Sequence, residues 1–162
     1  MLYFAYGSNM NWDQMRERCP SAKFVCIARL TNHRLVFPRK SDTRGCGVSS
    51  VEAAKNGDVW GVVFQIDELD VGRLDKREGY NPILEPERNS YVRKEIRVDG
   101  DGDNARPLTV FTCVANHQPG QHRPSAEYER AIVEGAKFWH LPADYLKKLE
   151  AIATSEPQGH GS

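Results

Sequence analysis

The sequence predicts an α+β fold, a small and largely closed mixed β-barrel with flanking helices, and three observations carry that prediction. Six or more β-rich runs stand against three or four helical ones. The two kinds do not alternate in the βαβα rhythm of a doubly wound sheet. That many strands in 162 residues are crowded enough to curl toward closure.

The elements follow in order. LYFAY is an aromatic and apolar run that stops at Gly7, which suits a buried strand at about residues 2 to 6. Asn11 is a good N-cap, with Gln14 three residues on as in a capping box and Met10 and Met15 at the staple positions, so a helix should run to about Cys19-Pro20. Lys23 to Leu30 and His33 to Phe37 read as a strand pair, and 38 to 46, with its Pro, Gly and basic residues, as a loop. Cys46 to Glu52 and Val59 to Ile66 read as a hairpin joined at Lys55-Asn56-Gly57-Asp58. DVWGVVFQI is nearly all apolar and should be a central strand, with Gly61 marking a bend or close approach. A short helix should run from Asp67 and stop at Gly79. Tyr91 to Val98 and Leu108 to Asn116 alternate as strands around DGDGDNARP. Ser125 caps a helix to about His140, and Pro142 takes the first position of a last helix carrying Leu146, Leu149 and Ile152. One domain over residues 1–153 and a frayed tail over 154–162 are expected.

Lys and Arg number 22 against 22 Asp and Glu, so the chain lacks the net field that gathers nucleic acid or anionic membrane. No run of 18 apolar residues occurs, and MLYFAYGSNM lacks the basic start and cleavage site of a signal peptide. A cytoplasmic protein with no nucleic-acid and no membrane partner is expected. Cys19, Cys26, Cys46 and Cys113 form no C-x-x-C pair and read as reduced, mostly buried thiols. Two decoys are set aside. DGDGDN lacks the glycine and the bidentate glutamate of a calcium loop, and the spacing of Cys113, His117 and His122 matches no standard metal pattern. No metal and no cofactor are expected.

Two stretches could carry chemistry. Tyr6-Gly7-Ser8-Asn9 lies between strand and helix, where backbone N–H groups turning through a glycine can form an anion-binding concavity and the following helix points its positive end at the same spot. The alternative is an ordinary strand-to-helix turn. A side chain at Gly7 is expected to be excluded by a backbone that needs φ > 0. Ser8 is no nucleophile elbow, since G-x-S-x-G needs glycines that Tyr6 and Met10 replace, and no G-K-[ST] makes a P-loop. In Leu74-Asp75-Lys76-Arg77-Glu78-Gly79 the glutamate falls at a helix C-terminus, where the dipole disfavours an ionised carboxylate, as general-base work needs. Glu78 as a solvated helix-end residue is the other possibility.

Taken together, YFAYGSNM, PSAKFVCIARL, DVWGVVF, LDKREGY and PSAEYERAIVEGAKFWHLPADYLKKL resemble, in order and over residues 2 to about 150, the γ-glutamylcyclotransferases. The resemblance implies that family's mixed barrel and its reaction, in which a γ-glutamyl amide cyclises to 5-oxoproline and releases an amine. It implies Glu78 as general base, and Tyr3, Phe4, Ala5, Tyr6, Gly7, Ser8, Asn9 and Tyr128 as the residues around the γ-glutamyl head, with no cofactor. The partner is then a small γ-glutamyl amino acid or dipeptide; a homodimer is left open. The alternatives are a γ-glutamylamine cyclotransferase of the γ-glutamyl-lysine type and a non-catalytic γ-glutamyl or anion-binding module; glutathione is disfavoured. The sequence departs from the amino-acid-releasing pattern at the loop GYNPILEPERNS, over 39 to 57, and at Phe111 in place of a tyrosine, all of which bear on the leaving amine.

Overall fold

The computed structural model describes residues 1–41, 47–78 and 81–154, with Gly47 and Glu78 described by their backbone alone. Cys46, Gly79 and the tail from residue 155 onward, on which expectations were placed above, lie outside the described residues. Among the described residues five strands close a mixed barrel: β1 (Leu2–Ala5), β2 (Lys23–Lys40), β3 (Gly47–Gln65), β4 (Tyr91–Gly100) and β5 (Pro107–Ala115), in the order β1-β3-β2-β4-β5. Four helices flank it: α1 (Trp12–Arg18), α2 (Glu68–Glu78), α3 (Ala126–Phe138) and α4 (Ala143–Glu150).

β1 is the shortest of the five strands. It pairs antiparallel with β3 from Leu2↔Gln65 to Ala5↔Val62 and parallel with β5 at Tyr3↔Phe111. Successive side chains point to opposite faces, and Tyr3, Phe4 and Ala5 are all buried, so core covers both faces of β1, as the uninterrupted apolar run requires. Val59, Val62, Val63 and Phe64 of β3 are fully buried beside it, and Met10, Met15, Leu74, Ile132 and Leu149 bring the helices onto the same core.

The two expected strand pairs from 23 to 66 are replaced by one. β2 and β3 run unbroken for 18 and 19 residues and pair with each other along their lengths, from Lys23↔Gln65 to Lys40↔Gly47. The Asn-Gly signal at 56–57 makes a bulge and not a hairpin. Between Thr31↔Asp58 and His33↔Ala53, one residue of β2 faces four of β3, with Asn32 (φ 58°) and Asn56 (φ 64°) left-handed on the two sides. The Asn56 amide donates to Asn32 Oδ1 at 3.3 Å, and a Cβ on Gly57 would fall 2.4 Å from the His33 carbonyl oxygen. Left-handed Asn followed by Gly serves a turn and a bulge equally well, so the choice rests on which strands are available to pair. The loop expected from residue 38 is likewise corrected: Pro38 to Lys40 belong to β2, and a register shift between Val36 and Arg39 accommodates the proline.

The helix signals fare better locally. Asn11 accepts the Gln14 amide at 3.1 Å and Ser125 accepts the Tyr128 amide at 3.1 Å, each capping the helix that the sequence assigns to it. Pro142 is displaced by one: its ψ of 141° is extended, so it caps α4 and does not open it. The DGDGDNARP segment is the expected polar connection, with Asp101 and Gly102 both at positive φ between β4 and β5.

Buried Asp70 pins α2 to the turn before β2. Its carboxylate accepts from the Ser21 amide at 2.8 Å, the Ser21 hydroxyl at 2.5 Å and Arg73 at 2.9 Å. Burial alone would raise this carboxyl, but the Ser21 and Arg73 hydrogen bonds outweigh it and hold it below the usual carboxylate range. Asp70→Ala is therefore expected to cost about 2 kcal/mol in urea unfolding, the scale of hydrogen bonds to a buried charge. Because the folded value is depressed, this stability is present above the unfolded value of about 3.9 and is lost as pH falls through the folded one. Asp70→Asn should flatten that acid loss, and an unchanged acid slope would remove Asp70 as its source.

Candidate active site

The site begins where β1 runs out. After Ala5 the chain turns through Tyr6 and Gly7 into a single 3-10 turn over Ser8–Met10, and α1 starts only at Trp12. The positive helix end expected beside Gly7 is thus set back, and its first turn is closed by the Asn11 side chain. What occupies the position is the 3-10 turn, closed by the Met10 amide on the Gly7 carbonyl at 3.0 Å, so the Ser8 amide has no acceptor within it.

Packing holds this turn from three sides. Gly135 of α3 lies so close that a Cβ there would come within 2.5 Å of the Met10 carbonyl carbon, and Trp139 Nε1 donates to the Met10 oxygen at 2.9 Å. Asn9 is wired inward: its Nδ2 donates to the Tyr3 hydroxyl at 3.0 Å, and its Oδ1 accepts from Gln14 at 3.0 Å and Arg18 at 2.8 Å. Gln14 Nε2 also donates to Ser8 Oγ at 2.9 Å. The Tyr6 hydroxyl donates to the Cys113 carbonyl.

Gly7 is required by proximity. Its φ of −117° lies outside the left-handed region, which corrects the expectation of a positive φ. A Cβ there would fall 2.2 Å from Ser49 Oγ and 3.7 Å from the Tyr128 hydroxyl. Those two groups are themselves joined, with the Tyr128 oxygen 3.0 Å from Ser49 Oγ and accepting the Ser49 amide at 3.1 Å. Tyr128→Phe would leave the buried Ser49 amide without that acceptor, so a stability loss of about 1–3 kcal/mol is expected by chemical denaturation. A phenylalanine variant as stable as the parent would show that another group takes over the amide.

Tyr3, Tyr6, Gly7, Ser8, Asn9 and Tyr128 all line one cavity of about 440 Å³, a size suited to a small ligand. Phe4 and Ala5 do not: both are fully inside the barrel, the Phe4 carbonyl accepting the Thr112 hydroxyl at 2.7 Å. Ser49, Arg18, Arg39, Lys40, Ser90, Tyr91, Cys113, Gln118 and Arg77 complete much of the wall, and the sequence did not point to them. Ser49 carries no local signal, and Arg39 and Lys40 were hidden in what read as a loop. Among the described residues no three His, Cys, Asp or Glu side chains come together as a metal site would need.

The end of α2 reaches this cavity. Asp75, three residues before Glu78, is buried and lies 3.6 Å from Arg93 of β4, itself opposite Cys113 in the β4–β5 ladder. Burial pushes the Asp75 carboxyl above the usual carboxylate range, against the pull of that guanidinium. Two residues on, Arg77 borders the cavity. The glycine turn and the last turn of α2 therefore border the same space although seventy residues separate them; the Glu78 side chain lies outside what is described.

A family model described as AIG2-like matches residues 58–149. The chain is 33% identical over 166 residues to gamma-glutamylcyclotransferase of Mus musculus, covering 98% of this chain and 81% of the relative, and 32% identical to that of Homo sapiens with the same coverage. It belongs to the γ-glutamylcyclotransferase family. A solved gamma-glutamyl cyclotransferase structure aligns with a TM-score of 0.86 at 31% identity, covering 100% of this chain and 93% of the other. The γ-glutamylcyclotransferase barrel thus accounts for the α+β class read from strand crowding. No helix among the described residues is long and apolar enough to cross a membrane.

Proposed function

We propose that the cavity binds a γ-glutamyl amino acid or dipeptide and cyclises it to 5-oxoproline, releasing the amine. The observation that carries this reading is the meeting of the Tyr6–Asn9 turn and the last turn of α2 at one cavity. The substrate's α-nitrogen attacks its own γ-carbonyl carbon, the new C–N bond closes a five-membered ring, and the old amide C–N bond breaks. The two protons shed by the α-ammonium end on the departing nitrogen. Glu78 is the base that takes the first proton and the acid that returns it.

Because nucleophile and electrophile share one molecule, the protein need only fold the substrate and stabilise the tetrahedral oxygen. The Ser8 amide, without an acceptor in its own turn, is suited to that negative charge. The Ser8 and Tyr128 hydroxyls line the same cavity for the γ-glutamyl head, and Asn9, occupied by Tyr3, Gln14 and Arg18, holds the turn. The names of the mouse and human relatives agree with this chemistry. Its test is an assay of 5-oxoproline formation from γ-glutamyl-alanine, γ-glutamyl-ε-lysine and glutathione. Product from γ-glutamyl-alanine is expected; absence of product from all three would end the reading.

A further inference from the structure

The cavity is electrically lopsided. Arg18, Arg39, Lys40 and Arg77 line it, and among its described lining residues there is no Asp or Glu. Arg18 is engaged by Asn9, on the side of the glycine turn. The other three come from two separate elements, the end of β2 and the end of α2. Among the described residues none of the three is in an ion pair, whereas Arg29, Arg73 and Arg93 each hold a carboxylate. Arg39 donates to the Asn116 carbonyl at 3.2 Å, which uses one of its five N–H donors and fixes the stem.

Burial orders the cavity from inside to outside. Gly7's neighbours Ser8, Ser49 and Tyr128 are buried neutral groups, while Arg39 is half-buried and Lys40 and Arg77 are exposed. If the γ-glutamyl head is held at the buried turn, the leaving part points outward, among the cations. Three cations with no carboxylate partner among the described residues, brought together at one mouth, are a receptor for more than one negative charge.

On the reading that this chain cyclises γ-glutamyl compounds, we propose that Arg39, Lys40 and Arg77 bind the carboxylates of the leaving amino acid, so that an acidic leaving group is favoured over a neutral one and both over an amine without a carboxylate.

The test measures kcat/KM for 5-oxoproline release from γ-glutamyl-glutamate, γ-glutamyl-alanine and γ-glutamyl-ethylamide. The expected order is glutamate, alanine, ethylamide, with about tenfold or more between the first and the last, set in KM and shrinking at 0.5 M salt. In the double variant Arg39→Gln/Lys40→Gln that ratio should collapse toward one, while the exposed Lys147→Gln on α4 leaves it intact. An equal loss on all three substrates in the double variant would overturn the proposal, because the cations would then serve the γ-glutamyl head. Equal turnover of all three by the parent protein would also overturn it, yet leave the cyclisation reading standing. No product from any of them would remove both.

Discussion

Glu78→Gln is expected to lower the rate of 5-oxoproline formation by about 10²-fold or more while the protein keeps its fold. The substrate's α-amine is protonated near neutral pH and cannot attack until a base removes a proton. Glutamine has the shape of glutamate and no capacity to do so. The loss should fall on kcat, since an uncharged group of the same size leaves the pocket's form in place. The fold should survive because α2 is anchored by Asp70 on Ser21 and by Asp75 beside Arg93, neither of which involves residue 78. A thermal melt matching the parent, together with the lost rate, is the expected pair of results. A glutamine variant that cyclises γ-glutamyl-alanine at the parent's rate would take the general base away from this position.

Gly7→Val is expected to be the most damaging change in the turn, by a mechanism that can be separated from backbone strain. The φ of −117° is not left-handed, and the obstacle is the Ser49 hydroxyl 2.2 Å from the added Cβ. Even alanine must rotate Ser49 Oγ away from the Tyr128 hydroxyl, and valine adds two methyls to the same space. Overpacking of this kind costs about 1–3 kcal/mol, which corresponds to roughly a five- to 150-fold loss in kcat/KM if borne by substrate binding. The cause is checked by a cycle: Ser49→Ala removes the blocking oxygen and leaves Ser49's Cβ position at 3.4 Å, so it should recover part of what Gly7→Ala loses. Additive losses in the double variant would mean that Ser49 is not the obstacle.

Chemistry confined to a few neighbouring residues was legible without coordinates. The caps at Asn11 and Ser125 depend on one side chain and an amide three residues later, and both stand where the sequence puts them. The β1 run is apolar on both faces, which only a strand with core on both sides explains, and its consecutive residues Tyr3, Phe4 and Ala5 are all buried in that core. The strand partners between 23 and 66 were not legible, because pairing is a competition among distant segments and Asn56-Gly57 fits two outcomes with the same dihedral angles. Ser49 shows the same limit at the site: nothing near it in the chain marks it, and its contact with Tyr128, 79 residues away, exists only once the barrel closes and α3 packs against it.

Residue types and short spacings by themselves determined the α+β class of this protein and, to within about a residue, the places where its helices begin, since hydrophobic period and capping act over a turn or two of chain. Tertiary structure alone decided that β2 and β3 pair end to end, that Gly7 must be bare because of Ser49, and that Arg39, Lys40 and Arg77 face one space. The physical reason is that closing a barrel brings together side chains whose separation along the chain leaves no local trace.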